Sequence, residues 1–143
     1  MALSLEGHRV LIADDDSIIA FDVAQAVEAA GAKAVVVHSL KHALAIARVE
    51  PLSAAAIDIK LKGDVSSPLC ALLQCRDVPF VIYTDAREIS GFRFTKGVIT
   101  KPAEPDVIVN TLAILATPKV SRSQRRTLPT LADRVARARL PKI

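Results

Sequence analysis

The chain has 143 residues, 51% of them hydrophobic, and a formal net charge of +4. That length suits one domain with some chain to spare, and the apolar half is enough for a proper core. No apolar run approaches the length of a membrane-spanning helix, and the N-terminal MALSLEGHRV lacks a long apolar core, so neither a membrane span nor a targeting segment is expected.

Aromatic residues are scarce, with no Trp, one Tyr and four Phe. The core must be built from Val, Ile, Leu and Ala, which suggests buried parallel strands covered by Ala-rich helices. The charge is unevenly placed. Acids slightly outnumber bases over 1–116, whereas 117–143 carries Lys119, Arg122, Arg125, Arg126, Arg134, Arg137, Arg139 and Lys142 against Asp133. The expected organisation is a mildly acidic domain over 7–116 and a basic tail over 117–143.

In chain order, HRVLIA reads as a first strand and IIAFDVAQAVEAA as the helix after it, capped by Asp16 or Ser17 and closed by Gly31 in a left-handed conformation. AKAVVVHS is a second strand, and LKHALAIARVE a second helix stopped by Pro51. SAAAIDI is a third strand, leading into the turn residues KLKGD. SSPLCALLQCRD is a third helix, with Ser66 or Ser67 as cap and Pro68 in its first turn. VPFVIYT is a fourth strand. AREISGFRFTK is weakly patterned, so a short or irregular helix is expected there. GVIT is a fifth strand, KPAEPD a turn, and AEPDVIVNTLAILA a closing helix. Strict alternation of strand and helix predicts a doubly wound parallel sheet, and the flavodoxin-like strand order 2-1-3-4-5 is the natural one for five strands.

In such α/β sheets chemistry gathers beyond the carboxyl ends of the strands, at the switch point between strands 1 and 3. Strand 1 ends in Asp14-Asp15-Asp16, strand 3 near Asp58, strand 4 in Thr84 and strand 5 in Lys101-Pro102. Acids that follow a strand are often plain helix caps, and a Thr or Lys at a strand end is ordinary. The conjunction of four strands delivering complementary groups to one rim points to phosphoryl capture. Clustered carboxylates without histidine select a hard cation such as Mg²⁺, which also offsets their mutual repulsion. A carboxylate can then attack phosphorus, while an ammonium and a hydroxyl stabilise the charge on the equatorial oxygens. No GxxxxGK[ST] or GxGxxG is present, so the phosphoryl group must come from elsewhere. Cys70 and Cys75 do not have metal spacing and read as thiols in a reducing cytosol. His8, His38 and His42 form no ligand pattern and read as incidental.

On VLIADDDSIIA, AAIDIKLKG, VPFVIYTDA and GVITKP, in that order, the chain resembles the receiver domain of bacterial two-component response regulators over about 7–116. The resemblance implies that Asp58 is the phosphoacceptor. It implies that Asp15 is a direct Mg²⁺ ligand and Asp14 a ligand through water, with Asp58 and the backbone carbonyl of Lys60 completing the set. Thr84 becomes the switch hydroxyl, Lys101 the partner of the phosphoryl group, and the Lys101–Pro102 bond cis. Asp16 is then a helix cap. Three positions depart from the common pattern: Val98 replaces a frequent aromatic, Asp85 a small residue, and Lys60 a smaller polar one.

The resemblance implies a stand-alone, cytoplasmic, phosphorylation-dependent regulator rather than an enzyme. A histidine kinase or histidine phosphotransfer protein would donate, and a downstream protein would read the state. The alternative is a degenerate receiver that binds protein or nucleic acid constitutively. A Mg²⁺-dependent phosphatase ranks last, because Lys60 stands where those enzymes commonly carry a second acid. In the tail, Pro129 and Thr130 with Asp133 form a helix-start signature, and Leu131, Val135 and Ala138 share one helical face. The tail reads either as a solvated extension or as a basic helix docking on an acidic partner, on a second copy of the domain, or on nucleic acid. Nucleic acid is the weakest of the three, since the tail has no aromatic to stack on bases.

Overall fold

The computed structural model describes residues 4–84, 98–100 and 104–116. The weakly patterned stretch, Lys101–Pro102 and the basic tail lie outside them. Among the described residues seven strands and four helices follow one another: β1 (Arg9–Ala13), α1 (Ser17–Ala29), β2 (Lys33–Val37), α2 (Leu40–Val49), β3 (Ala54–Ile57), β4 (Lys60–Leu61), β5 (Asp64–Val65), α3 (Ser67–Cys75), β6 (Phe80–Thr84), β7 (Val98–Thr100) and α4 (Pro105–Ala116). The main sheet is parallel and runs β2-β1-β3-β6-β7. This is the expected 2-1-3-4-5 order, with β4 and β5 as an added hairpin.

Each boundary has a local cause. The Asp16 carboxylate accepts from the backbone N–H groups of Ile18 and Ile19 and caps α1. Gly31 ends that helix at φ +106, where a Cβ would meet the Glu6 Cα at 2.8 Å, so both conformation and space require glycine. Ser39 caps α2 by accepting from His42 N–H. Ser66 holds the capping position of α3 but makes no capping bond, because its ψ of 11 departs from the extended conformation a cap needs.

The sheet is buried on both sides. One face, under α1 and α4, packs Val10, Ile12, Ala54, Ala56 and Val81 against Val23, Val27, Ile108 and Leu112. The other, under α2 and α3, packs Leu11, Ala55, Ile57, Phe80 and Ile82 against Ala43, Ala47, Leu69 and Leu73. The central strand β3 begins with three consecutive alanines, all buried, which lets helices approach it from both sides. No described helix is long and apolar enough to cross a membrane.

Candidate functional site

β1 and β3 are adjacent and in register, Ala13 opposite Ile57, so the residues that follow them emerge side by side. Asp14, Asp15 and Asp58 meet there, each offering a carboxylate oxygen within 4.8 Å of the others. Asp14 is buried, Asp58 half-buried and Asp15 exposed. Asp16, the remaining acid of the run, turns to the α1 N–H groups and stays out of the cluster.

The main chain fixes this arrangement. The Asp14 N–H donates to the Val37 carbonyl (3.1 Å) and the Asp58 N–H to the Ala13 carbonyl (2.9 Å). Both acids therefore sit on the last rungs of the parallel ladder. Asp14 Oδ1 accepts from the Asp16 N–H at 2.9 Å, which turns its carboxylate along the rim. Asp15 Oδ2 accepts from the Lys62 N–H at 2.7 Å. These donors reduce the repulsion between anions crowded into one place.

Lys62 lies in the hairpin that follows Asp58. β4 and β5 pair antiparallel, Lys60 with Val65 and Leu61 with Asp64, leaving Lys62 and Gly63 as a two-residue turn. Both have positive φ, 53 and 88, the conformation that a tight hairpin turn requires. The hairpin carries Lys60, the expected carbonyl donor, directly beyond the acids. Thr84 is the last residue of β6, opposite Thr100 of β7, so its backbone stands at the same carboxyl edge. Lys101 lies outside the described residues.

Two contributors lie outside the set of expected site residues. The Lys62 N–H is a backbone donor, invisible to residue type. His38 follows β2, and its Nδ1 donates to the Asp14 carbonyl at 2.9 Å, which assigns the proton to Nδ1 because a carbonyl only accepts. Its place at the end of the strand beside β1 was the available signal.

The chemistry of the donor set fits a hard, oxygen-seeking divalent cation: three carboxylates, no sulfur, and an exposed side on which waters can remain.

Comparison with solved structures gives the fold its class. The SdrG structure from Sphingomonas melonis Fr1 matches with a TM-score of 0.67 at 29% identity, over 80% of this chain and 98% of that one. The receiver domain of the Francisella response regulator 1452 matches with a TM-score of 0.68 at 24% identity, over 77% and 97%. The response regulator PhyR from Brucella abortus matches with a TM-score of 0.64 at 26% identity, over 80% of this chain and 48% of that longer one. No family model and no curated relative matches by sequence. The chain thus has the fold of response-regulator receiver domains, with the acidic cluster at the carboxyl edge of its sheet.

Proposed function

We propose that this chain is a phosphorylation-dependent response regulator in which Asp58 accepts a phosphoryl group from a histidine kinase or histidine phosphotransfer protein. The observation that carries the reading is the meeting of Asp14, Asp15 and Asp58 within 4.8 Å at the switch point of the sheet. An Asp58 carboxylate oxygen attacks phosphorus, the P–N bond of the donor phosphohistidine breaks, and its electron pair returns to the imidazole. Asp14, Asp15, Asp58 and the Lys60 carbonyl would hold Mg²⁺, which supplies neutralisation of charge on the phosphoryl oxygens. Thr84 would donate its hydroxyl to one such oxygen and Lys101 its ammonium to another, each stabilising charge as it develops.

Asp58 is suited to its part by position. It is half-buried, next to two further carboxylates, and anchored by its own N–H to β1, so attack requires no rearrangement of the sheet. The reading makes the chain a signalling protein with only intrinsic phosphotransfer and autodephosphorylation chemistry, working in the cytoplasm through a downstream protein partner. Two unbridged cysteines, Cys70 and Cys75, agree with a reducing compartment.

The test is intact mass after incubation with acetyl phosphate. One phosphoryl group should add in Mg²⁺ and none with a chelator, and Asp58→Asn should take up nothing. Undiminished uptake by Asp58→Asn would refute the assignment.

A further inference from the structure

The two helical layers differ in charge. α2, α3 and the turns that end them mix Lys41, Arg48 and Arg76 with Glu50 and Asp77. α1 and α4 contain no lysine or arginine at all. Together with their leading residues they present Asp16, Asp22, Glu28, Glu104 and Asp106, all exposed. The same layer carries most of the large apolar side chains that the helices expose: Ile18 (74%), Phe21 (58%), Val107 and Ile114, against Val49 alone on α2. Ile18, Phe21, Asp22 and Gln25 fall three and four apart and so share one face of α1, and all four are exposed. An acidic helix face with an isoleucine and a phenylalanine in the open has the chemistry of a docking surface for a basic amphipathic helix.

The chain itself contains such a segment. Over 130–140, Leu131, Val135 and Ala138 fall on one side of a helix, with Arg134, Arg137 and Arg139 off it. The tail leaves from the end of α4, within the acidic layer. Residues 117–128 reach roughly 40 Å when extended, whereas α1 is only about 20 Å long. A connection of that length is long enough to reach along all of α1.

We propose that segment 130–140 docks on the α1–α4 face of its own domain, with its apolar stripe over Ile18 and Phe21 and its arginines toward Asp22 and the neighbouring acids. Charge sign selects this layer over the other, and tethering raises the local concentration of the tail well above that of a free competitor.

The test uses the full chain with Cys75→Ser and Ala136→Cys, a spin label on the new thiol, and isotope labelling for amide spectra. Position 136 lies off the apolar stripe, and the native Cys70 is buried. In dilute solution the amide signals of residues 17–25 should lose most of their intensity and regain it when the label is reduced. The loss should disappear in Ile18→Ser with Phe21→Ser, both exposed sites whose substitution spares the core, and should fade as salt is raised. An unchanged spectrum, or a loss centred on α2 and α3, overturns the proposal. So does a loss on α1 that arises only between spin-labelled and separately isotope-labelled chains, since it assigns the face to a second copy. Acetyl phosphate loading of the same sample is scored separately: its failure refutes the phosphoacceptor reading and leaves the docking result standing.

Discussion

The Lys62 N–H donates to Asp15 Oδ2 across 2.7 Å, tying the turn of the β4–β5 hairpin to an acid that follows β1. The Asp15 carboxylate is thereby held in place, with an oxygen within 4.8 Å of those of Asp14 and Asp58. The donor is main chain, so Lys62→Gly should leave Mg²⁺ affinity unchanged. Gly63→Ala meets only the positive-φ penalty, because open space surrounds its Cβ. That penalty is about 1–2 kcal/mol, enough to loosen the turn and weaken Mg²⁺ binding roughly five-fold or more. Calorimetric Mg²⁺ titration of both variants measures the contrast. Equal losses in the two would show that the Lys62 side chain matters instead.

Asp16 separates capping from coordination. Asp16→Ala removes the acceptor for Ile18 and Ile19 N–H and should cost about 1 kcal/mol of stability. Mg²⁺-dependent phosphorylation of Asp58 should persist in the variant. Denaturant midpoints and intact mass, taken on one preparation, check both halves.

In the proposed phosphoprotein, Lys60 stands two residues after the phosphoacceptor and Asp85, outside the described residues, directly after Thr84, and both depart from the common receiver pattern. Lys60→Asn and Asp85→Ala should each change the lifetime of the aspartyl phosphate several-fold, a barrier shift on the order of 1 kcal/mol. Decay followed by mass after removal of the donor reads the rates. Values equal to the unsubstituted chain in both variants would exclude these side chains from the dephosphorylation step.

The two cysteines should behave differently toward alkylation. Burial pushes the Cys70 thiol up to about 12, opposed in small part by hydrogen bonding, while Cys75 is exposed. At pH 8 the Cys70 thiolate is then only roughly one part in ten thousand, far below that of an ordinary thiol, and the folded chain also shields it. One equivalent of iodoacetamide should enter the native protein, at Cys75, and two after denaturation. Native labelling at Cys70 on the same timescale would mean that α3 opens readily.

Gly31 offers a test of the scaffold remote from the acids. Gly31→Ala combines a φ of +106 with a Cβ 2.8 Å from the Glu6 Cα, so it should lose on the order of 2 kcal/mol and several degrees of Tm. Phosphorylation below the melting transition should be unaffected.

Much of this was legible in the sequence, for identifiable reasons. Asp16 announces a helix start, Gly31 a helix end, and the apolar runs ending in Ala13, Ile57 and Thr84 are the strands that deliver Asp14, Asp58 and Thr84 itself to the rim. Parallel topology then brings Asp14 and Asp58 together whatever their separation along the chain. The hairpin was legible only as a turn. Two-residue strands are too short to show alternation, and nothing in a lysine foretells a φ of 53. The Asp15–Lys62 bond was hidden because a backbone donor has no letter of its own. His38 was passed over for lack of a ligand motif, although its bond to the Asp14 carbonyl needs only its place after β2.

Asp14 and Asp58 are fastened by their own amides to Val37 and Ala13, so the address of the acidic cluster is written in peptide groups that every residue type but proline shares. Interior side chains can be exchanged for others of similar bulk, and the rungs beneath the carboxylates stay where they are. A lineage built this way is free to rewrite most of its core while its reactive edge keeps the same coordinates. Likeness of shape can then coexist with divergent spelling, as in the match to SdrG over 80% of this chain at 29% identity.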